Sequence, residues 1–555
     1  MHLPSPRGLR AVFVHSSPAG VEAAPPLGSG CIAASLLAAG LLDPSSMNFF
    51  DAGLCSQDAA AEILAFKPDL VGFSLYLWNS LEFENVARAV RQASPDIIII
   101  CGGPDAERLA EEDGDGIDSG SPFDAVFIGE AETDAAAWLA EYAEKRHRAA
   151  KTIRCRPPKA EDLASPWLSK TLELGEGSAI AWELARGCPF RCAYCYEGRG
   201  VSGLRVLPMR RIEEEIELFA QKGVERVFVL DPTFNAHKGR ALQILRLIAK
   251  KGGNIRWDFE VRAELLDREQ ARAFSRLDCS LQIGLQSSNP KALASMRRSL
   301  DPRAFREKLS MLDEFGIVYG LDLIYGLPGD SLGGFRESLD FALSLSPNHL
   351  DIFPLALIPG TEFCARKAEL GLKAPDKPPY TLLESSDFPP GDMAAAALLS
   401  DKARKFYTEG RAVPWFEAVL KPLRMKPSAF LDGLEPGKLP EGEDHEGIEA
   451  FQRSAIETAY LRSGKARLLA GALDLVSFYG AWSRAFAEGK SSILNLSYPP
   501  ELVESPLMLD LETAVGGHAP RPRTYRMRAG KRGPRLEQVS AAALSPRASS
   551  VPRGS

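Results

Sequence analysis

Over the first 145 residues, short runs of consecutive apolar residues alternate with stretches of helical spacing. The runs do not alternate between apolar and polar positions, which is typical of strands covered on both faces. We predict strands at Arg10–His15, Met47–Phe50, Asp69–Leu77, Asp96–Cys101 and Asp124–Ile128. We predict helices at Leu27–Gly40, Gln57–Phe66, Ser80–Gln92 and Thr133–Glu144. This order of elements predicts an α/β fold for residues 1–145, with a parallel, doubly wound, Rossmann-like sheet.

A second alternating series occupies residues 178–370. We predict its strands at Ser178–Glu183, Arg226–Leu230, Ile255–Val261, Ser280–Gly284, Val318–Ile324 and Leu350–Leu357. Six strand–helix units predict a partial (βα)6 barrel, because a complete barrel of eight units needs roughly 250 residues. The intervening residues 146–177 are basic, contain proline and lack periodicity, so we predict a linker there.

The pattern changes after residue 370. Residues 371–510 have mainly helical composition, with one short strand possible at 492–500, and we predict a helical C-terminal domain. Residues 511–555 carry nine basic and two acidic side chains, a net charge of +7, whereas the other 510 residues carry −14. The acidic body argues against nucleic acid as the main partner. The basic segment is poor in apolar residues, and we predict that it is a disordered tail.

Composition supports a water-soluble protein without a membrane partner. Hydrophobic residues make up 45% and charged residues 25% of the chain, which is ordinary for globular proteins. No apolar stretch reaches the length of a transmembrane helix, and no signal peptide is visible at the N-terminus. We therefore expect a cytoplasmic location. In that reducing compartment, clustered cysteines indicate metal binding rather than disulfides.

The strongest chemical signal is the segment ARGCPFRCAYCYEG at 185–198. Cys188, Cys192 and Cys195 follow the spacing C-x3-C-x2-C. Three thiolates can hold three irons of a [4Fe–4S] cluster and leave the fourth iron open. A structural zinc site prefers four ligands, and a bacterial ferredoxin run carries a fourth cysteine followed by proline. The alternatives are a chance grouping or an incomplete zinc site.

This motif resembles that of the radical S-adenosylmethionine (SAM) superfamily. The resemblance implies that the open iron binds the amino and carboxylate groups of SAM. Reductive cleavage of SAM then yields methionine and a 5′-deoxyadenosyl radical. It also implies an external one-electron donor, such as a flavodoxin or a ferredoxin.

Later segments fit the SAM-binding strands of the same family. The resemblance implies SAM contacts for Tyr194, Asp231, Thr233, Glu260, Arg262 and Gln286. The alternatives are a packing role for Tyr194, turn or capping roles for Asp231 and Thr233, and a buried Glu260–Arg262 ion pair without a ligand. We expect Glu260 and Arg262, which are two residues apart, to share one face of a strand.

The N-terminal domain resembles the cobalamin-binding domain that precedes one class of these enzymes. The resemblance lies in PLGSGCIAASL (26–36), CGGPD (101–105) and GEAE (129–132). In parallel sheets, ligands bind beyond the carboxyl ends of strands. We therefore predict that cobalamin contacts Ser74, Tyr76, Gly102, Gly103, Gly129 and Glu130. His15 lacks the Asp-x-His-x-x-Gly context of cobalt-ligating histidines, so we expect no histidine below the cobalt. The alternatives are helix N-terminal roles for the GEAE acids and a plain nucleotide site, although no GxGxxG follows the first strand.

Together these features resemble a cobalamin-binding radical SAM subgroup with a C-terminal domain of unknown function. The resemblance implies transfer of a methyl group to an unactivated centre of a small-molecule or peptide substrate. One alternative is a radical rearrangement or cyclisation without methyl transfer. Another is a non-enzymatic cofactor-binding sensor or scaffold.

Overall fold

The computed structural model describes residues 8–17, 24–53, 58–113, 120–145, 151–197, 203–442, 444–530 and 533–539. The chain divides into two compact units. The first unit comprises residues 1–283, 293–318 and 355–386, and the second comprises residues 284–292, 319–354 and 387–555.

The first unit opens with a six-stranded parallel sheet, as the apolar runs predict. Its strands are β1 (Leu9–His15), β2 (Leu42–Asp51), β3 (Leu70–Ser74), β4 (Ile98–Gly102), β5 (Ala125–Ile128) and β6 (Lys151–Arg154). Their order in the sheet is β2-β1-β3-β4-β5-β6. The chain order reverses at β1, which lies between β2 and β3. The carboxyl ends of strands at such a reversal form the usual ligand crevice of α/β sheets.

Helices cover both faces of this sheet and explain why its strands are continuously apolar. They are α1 (Leu27–Ala38), α2 (Ala59–Ala65), α3 (Ser80–Ala93), α4 (Ala106–Asp113) and α5 (Glu132–Lys145). Alternate residues of β1 belong to two separate cores. Val12 and Val14 pack with the buried residues of α3, whereas Ala11 and Phe13 pack with those of α1.

The predicted linker needs a correction, because part of it is strand β6. This segment, KTIR, pairs in parallel with β5 at the end of the sheet. The side chains of β6 are half-buried or exposed, and Ile153 is its single apolar residue. Such a strand lacks the apolar run by which the inner strands are recognised. The linker continues with a short 3-10 helix at Ala160–Asp162.

The second sheet is also parallel and has six strands, which confirms the partial (βα)6 barrel. The strands are β7 (Ala179–Trp182), β10 (Arg226–Val229), β11 (Arg256–Val261), β12 (Cys279–Gln286), β13 (Val318–Tyr325) and β14 (His349–Pro354). In the first unit β10 lies between β7 and β11, and β11 also pairs with β12. In the second unit β13 pairs with β14. A small antiparallel ribbon, β8 (Ala185–Arg186) and β9 (Arg205–Val206), flanks the cysteine segment.

Helices follow the strands of this sheet in the chain. They are α6 (Met209–Lys222), α7 (Lys238–Lys251), α8 (Arg268–Phe274), α9 (Pro290–Ser295), α10 (Pro302–Glu314), α11 (Leu332–Leu343) and α12 (Glu362–Ala365). Short 3-10 turns occur at Phe234–Ala236 and Ala263–Leu265. Side chains cap the N-termini of α8, α10, α11 and α12. Asp301, for example, accepts hydrogen bonds from the first turn of α10.

The rest of the second unit is mainly helical, as its composition predicts. Its helices are α13 (Pro390–Ala403), α14 (Phe416–Leu420), α15 (Pro427–Asp432), α16 (His445–Arg462), α17 (Ala466–Ala487), α18 (Pro500–Val503) and α19 (Leu511–Gly516). A π-helical turn continues α13 at Arg404–Glu409. Further 3-10 turns are Lys421–Leu423, Pro436–Lys438 and Pro506–Leu509.

The prediction of a disordered tail from residue 511 is wrong for residues 511–530 and 533–539. Besides α19, this segment forms β16 (Arg523–Arg528) and β17 (Arg535–Gln538). Both belong to an antiparallel sheet with β15 (Ser492–Leu496) in the order β15-β16-β17. Tyr525 and Met527 alternate with arginines and are buried, so the sheet has an apolar face despite its basic composition. The predicted tail from residue 540 onward lies outside the described residues.

Among the described residues, no helix combines the length and the apolar character that a membrane crossing requires.

Candidate functional site

The cysteine motif forms a loop that begins directly after β8 in the first unit. Cys188, Cys192 and Cys195 are each half-exposed. Gly187, which precedes them, has φ +84°, and a Cβ placed on it would lie 2.7 Å from the carbonyl oxygen of Gly203. Both the positive φ and this close approach require glycine at that position. The backbone therefore enters the loop through a turn that fixes the direction of the first cysteine.

Buried polar side chains anchor the segment that leads into this loop. The Asp231 carboxylate accepts hydrogen bonds from the backbone N–H groups of Leu184 at 2.7 Å and Ala185 at 3.0 Å. Burial raises the pKa of Asp231 to about 7 despite these two bonds. Arg240 donates to the carbonyl oxygens of Leu184 and Leu207. Asp231, predicted to contact SAM, is thus already engaged in holding the entry to the loop.

The three thiols suit an iron–sulfur cluster better than a single ion. Burial raises the pKa of Cys195 to about 11, and the neighbouring charges of Cys192 and Cys188 add to this shift. The three groups therefore lie close enough to interact electrostatically. Among the described residues, no three His, Cys, Asp or Glu side chains converge tightly enough to hold one metal ion. Because a cubic cluster binds each thiolate to a different iron, it accepts sulfurs that lie farther apart than the ligands of one zinc ion.

Two of the residues predicted to bind SAM lie at this loop. The Oγ1 atom of Thr233 is 3.7 Å from Sγ of Cys188, and the same hydroxyl donates to the carbonyl oxygen of Pro232. The hydroxyl of Tyr194 accepts a hydrogen bond from Arg298 at 3.3 Å. Burial raises the pKa of Tyr194 to about 12. The structure therefore brings Thr233 and Tyr194 to the cysteine loop.

Glu260 and Arg262 lie two residues apart at the end of β11. The strand ends at Val261, but Arg262 keeps an extended backbone, with φ −102° and ψ 127°, and the 3-10 turn begins at Ala263. The Arg262 guanidinium forms an ion pair with Glu264 and lies 3.7 Å from the ring centre of Phe190, within the cysteine loop. Partial desolvation, with the charge of Glu197, raises the pKa of Glu260. The shared face of Glu260 and Arg262 stays a prediction, whereas the ion pair that Arg262 forms in the structure is with Glu264.

Gln286 belongs to the second unit. It is the last residue of β12, is buried, and has φ +68°, an uncommon conformation for a residue with a side chain. Such backbone strain is often found at functional positions.

The residues predicted to contact cobalamin follow neighbouring strands of the first sheet. The Ser74 hydroxyl is 2.8 Å from that of Ser29 in α1, and the Tyr76 ring stacks on Trp78 with centres 4.5 Å apart. Gly102 ends β4. Gly103 has φ +109°, and a Cβ there would lie 2.6 Å from the carbonyl oxygen of Leu75. The sheet thus brings these predicted residues to one edge. In the segment that follows β1, residues 18–20 lie outside the described residues.

The loop after β5 contacts the cysteine segment of the same unit. Gly129 has φ +97° and begins this loop. The Glu130 carboxylate forms ion pairs with Arg186, at 3.0 Å, and with Arg205. Glu132, the first residue of α5, pairs with Arg186 at 2.6 Å. The GEAE acids therefore bind arginines from the ribbon that encloses the cysteine loop, beyond any role at the start of a helix.

Three residues at the site escape sequence reasoning. Trp78 is exposed beside Tyr76 and donates from its indole to the carbonyl oxygen of Ser16. Arg186 and Arg298 contact partners that are distant in the chain. An aromatic residue after a strand and an arginine beside a cysteine motif are weak signals of such contacts. Only the fold identifies their partners.

Two family models match the chain. Residues 22–138 match the B12 binding domain, and residues 182–342 match the radical SAM superfamily. The cobalamin-dependent radical SAM methyltransferase TokK of Streptomyces tokunonensis is 25% identical over 328 residues, covering 53% of this chain and 47% of that protein. The 2-(S-pantetheinyl)-carbapenam-3-carboxylate methyltransferase of Streptantibioticus cattleyicolor is 28% identical over 330 residues, with the same coverage. The chain thus spans about half the length of the curated relatives it matches.

Solved structures share the fold. The cobalamin-dependent SAM radical enzyme OxsB with bound aqua-cobalamin superposes with a TM-score of 0.56 at 14% identity, covering 82% of this chain and 81% of that one. The radical SAM methyltransferase TsrM of Kitasatospora setae gives a TM-score of 0.52 at 17% identity, covering 66% and 79%. With the B12 binding and radical SAM domains in this order, the chain belongs to the cobalamin-binding radical SAM family.

Proposed function

We propose that this protein is a cobalamin-dependent radical SAM methyltransferase acting on an unactivated centre of a small-molecule or peptide substrate. One observation carries the proposal. A half-exposed three-cysteine loop and the glycine-rich carboxyl edge of the first sheet belong to one compact unit and are joined by Arg186. Methyl transfer by this route needs both cofactors within reach of one substrate.

The residues present fit the two cofactors. Cys188, Cys192 and Cys195 would hold a [4Fe–4S] cluster and leave one iron for SAM. Tyr194 and Thr233 would line the SAM site beside them. The edge formed by Ser74, Tyr76, Gly102, Gly103 and Gly129 would hold cobalamin. When bound, the cluster supplies an electron for SAM cleavage and cobalamin supplies a methyl carrier.

The chain's own residues prepare this site. Gly103 lets its backbone pass close to Leu75, which leaves the edge after β4 free of a side chain. Asp231 and Arg240 fix the backbone that leads into the cysteine loop. These contacts position cofactor-binding groups without taking part in the chemistry.

The names of the relatives support methyl transfer, because two of them are named as methyltransferases and this chain matches about half of each. None of the eight cysteines that the structure describes belongs to a disulfide. Cysteines outside disulfides are typical of a reducing compartment, and we therefore propose a cytoplasmic location. A flavodoxin or ferredoxin would act there as the one-electron donor.

The test uses full-length protein reconstituted anaerobically with iron, sulfide and cobalamin. It is incubated with SAM labelled in the methyl group, a chemical reductant and a panel of candidate substrates. We expect S-adenosylhomocysteine and 5′-deoxyadenosine to form in step with a labelled product. About four irons per chain should be bound, since three thiolates hold one cubic cluster.

A matched pair of cysteine variants controls this experiment. Cys192→Ala should lose the cluster and both SAM-derived products, whereas Cys155→Ala, half-exposed in the first unit, should retain them. 5′-Deoxyadenosine without labelled product would favour a radical rearrangement. Binding of both cofactors without any SAM cleavage would favour a sensor or scaffold. Normal iron content in the Cys192 variant would contradict the cluster assignment.

A further inference from the structure

Arg186 joins the two predicted cofactor regions of the first unit. It lies two residues before Cys188, at the end of β8. Its guanidinium reaches Glu130, in the loop after β5, at 3.0 Å and Glu132, the first residue of α5, at 2.6 Å. It also reaches Glu183 at 3.0 Å, just after β7. One side chain thus contacts three carboxylates from two domains of the same unit.

The surroundings of this arginine make the contacts strong. The Arg186 side chain is only 14% exposed, and burial of such a group strengthens its charge interactions because little water screens them. Arg205 pairs with Glu130 from the opposite strand of the ribbon. Oε2 of Glu132 is buried and has no hydrogen-bond partner among the described residues. Three carboxylates therefore face two guanidinium groups, and Arg186 is the cation that all three carboxylates share.

We infer that Arg186 is a positioning residue that couples occupancy of the cysteine loop to cobalamin binding at the carboxyl edge of the first sheet. This inference rests on the proposed function for the identity of the two ligands. The role of Glu130 changes accordingly. Its carboxylate is engaged by two arginines, so it acts on cobalamin through the position of the loop rather than as a direct ligand.

The physical basis is the conformational entropy that is lost when the contacts around Arg186 become ordered, because both ligands depend on the same contacts. A cluster bound by Cys188 restrains the backbone two residues from Arg186. A restrained Arg186 holds Glu130 and Glu132 through charge-assisted contacts from Nη1. Cobalamin binding then requires less loss of conformational entropy, which is positive coupling without a large structural change. Such coupling must be reciprocal and typically changes affinity by about five- to 150-fold.

The experiment measures cobalamin affinity of the full-length protein with and without the cluster. Hydroxocobalamin is titrated anaerobically into cluster-free and cluster-loaded protein, and binding is followed by calorimetry. We expect the cluster to tighten binding at least about five-fold in the wild-type protein. In Arg186→Lys the ratio of the two affinities should approach one, because an ammonium group cannot bridge three carboxylates with planar geometry.

Two further variants separate coupling from general destabilisation. Arg211→Met removes a guanidinium of equal exposure that pairs with buried Glu215 elsewhere in the unit, and it should keep the wild-type ratio. Glu130→Gln removes the charge of one Arg186 partner and leaves Glu132 and Glu183 in contact with Arg186. This variant should lower the ratio of the two cobalamin affinities. It replaces Arg186→Lys in the experiment if thermal unfolding of the apoprotein shows that Arg186→Lys does not fold.

The outcomes are distinct from those that test the proposed function. Failure of the wild-type protein to bind either iron or hydroxocobalamin overturns the proposed function and this inference with it. If the wild-type protein binds both iron and hydroxocobalamin but the cluster does not change the cobalamin affinity, the coupling is overturned and the proposed function stands. A ratio that is unchanged in both Arg186→Lys and Glu130→Gln also overturns it.

Discussion

Arg298 donates a hydrogen bond from Nη1 to the hydroxyl of Tyr194 at 3.3 Å, although the two residues are 104 positions apart in the chain. Tyr194 lies between Cys192 and Cys195. Arg298 interacts electrostatically with Cys192, and its contacts with Tyr194 and Cys192 raise its pKa despite its burial. A permanent positive charge therefore lies beside the predicted cluster.

Replacing this charge should alter the reduction potential of the cluster. Arg298→Met removes a cation next to a thiolate, so the reduced cluster loses stabilisation and its potential should become more negative. The measurement is a redox titration followed by electron paramagnetic resonance. Arg297→Met is the matched control, because that neighbouring arginine is 56% exposed and pairs with Glu362. Equal potentials in the wild-type protein and Arg298→Met would show that this charge is too distant to act.

Gly103→Ala should destabilise the cobalamin-binding edge. The new Cβ would lie 2.6 Å from the carbonyl oxygen of Leu75, at φ +109°. Backbone strain and overpacking together should cost about 2–5 kcal/mol of unfolding free energy. Gly40→Ala is the control, since its φ is +70° but nothing lies within 4 Å of the added methyl group. It should cost only about 1 kcal/mol. Denaturant unfolding measures both, and equal costs would argue against the close approach at Gly103.

His15 should not bind cobalt. It ends β1 opposite Asp51 of β2, and burial lowers its pKa. The sequence around it lacks the motif of cobalt-ligating histidines. We also expect cobalamin to bind with its dimethylbenzimidazole arm off the metal, so bound cob(II)alamin should show no nitrogen splitting in its paramagnetic resonance spectrum, and His15→Ala should leave the spectrum unchanged. A nitrogen coupling that disappears in the variant would identify His15 as a ligand.

Asp474 in α17 gives the second unit a defined pH dependence. Its carboxylate accepts backbone hydrogen bonds from Ser497 and Tyr498, yet burial raises its pKa from 3.8 to about 6. A raised folded-state pKa means that the folded protein holds this proton more tightly than the unfolded chain. The protonated carboxyl group of Asp474 therefore contributes its full share to the free energy of unfolding below about pH 4. This contribution is lost as the pH rises through 6.

The matched variant for this prediction is Asp474→Asn, which cannot titrate. Between pH 4 and pH 7, the stability of the wild-type protein relative to the variant should fall by up to about 3 kcal/mol. Thermal unfolding of both proteins across that range measures the difference. A constant difference would mean that the carboxyl group titrates normally.

Much of the fold is predictable because burial on both faces leaves a clear pattern. The predicted strand Asp96–Cys101 overlaps β4, and the six strands of the second sheet lie within a few residues of their predicted bounds. The missed elements are those that need little burial. Strand β6 carries one apolar residue, and the alternation of Tyr525 and Met527 in β16 is masked by arginines.

The site divides along similar lines. The cysteines are predictable because their spacing is local and their chemistry specific. The partners of Arg186 and Arg298 are not, because the contacting residues are 56 and 104 positions away in the chain. Arg262 pairs with Glu264 in the 3-10 turn after β11, a contact that the period of a strand does not predict. Local spacing predicts side-chain neighbours only while the secondary structure continues.

Strand β6 also determines where the N-terminal domain can be separated from the rest of the chain. A fragment that stops at residue 145 would leave β5, whose residues are all buried, as a bare outer strand with unpaired backbone groups. Exposed apolar edges of this kind recruit other chains and cause aggregation. A fragment that continues past Arg154 ends instead with β6, a short strand that begins with Lys151 and ends with Arg154. Short edge strands with charged side chains are a common protection of natural sheets against edge-to-edge pairing.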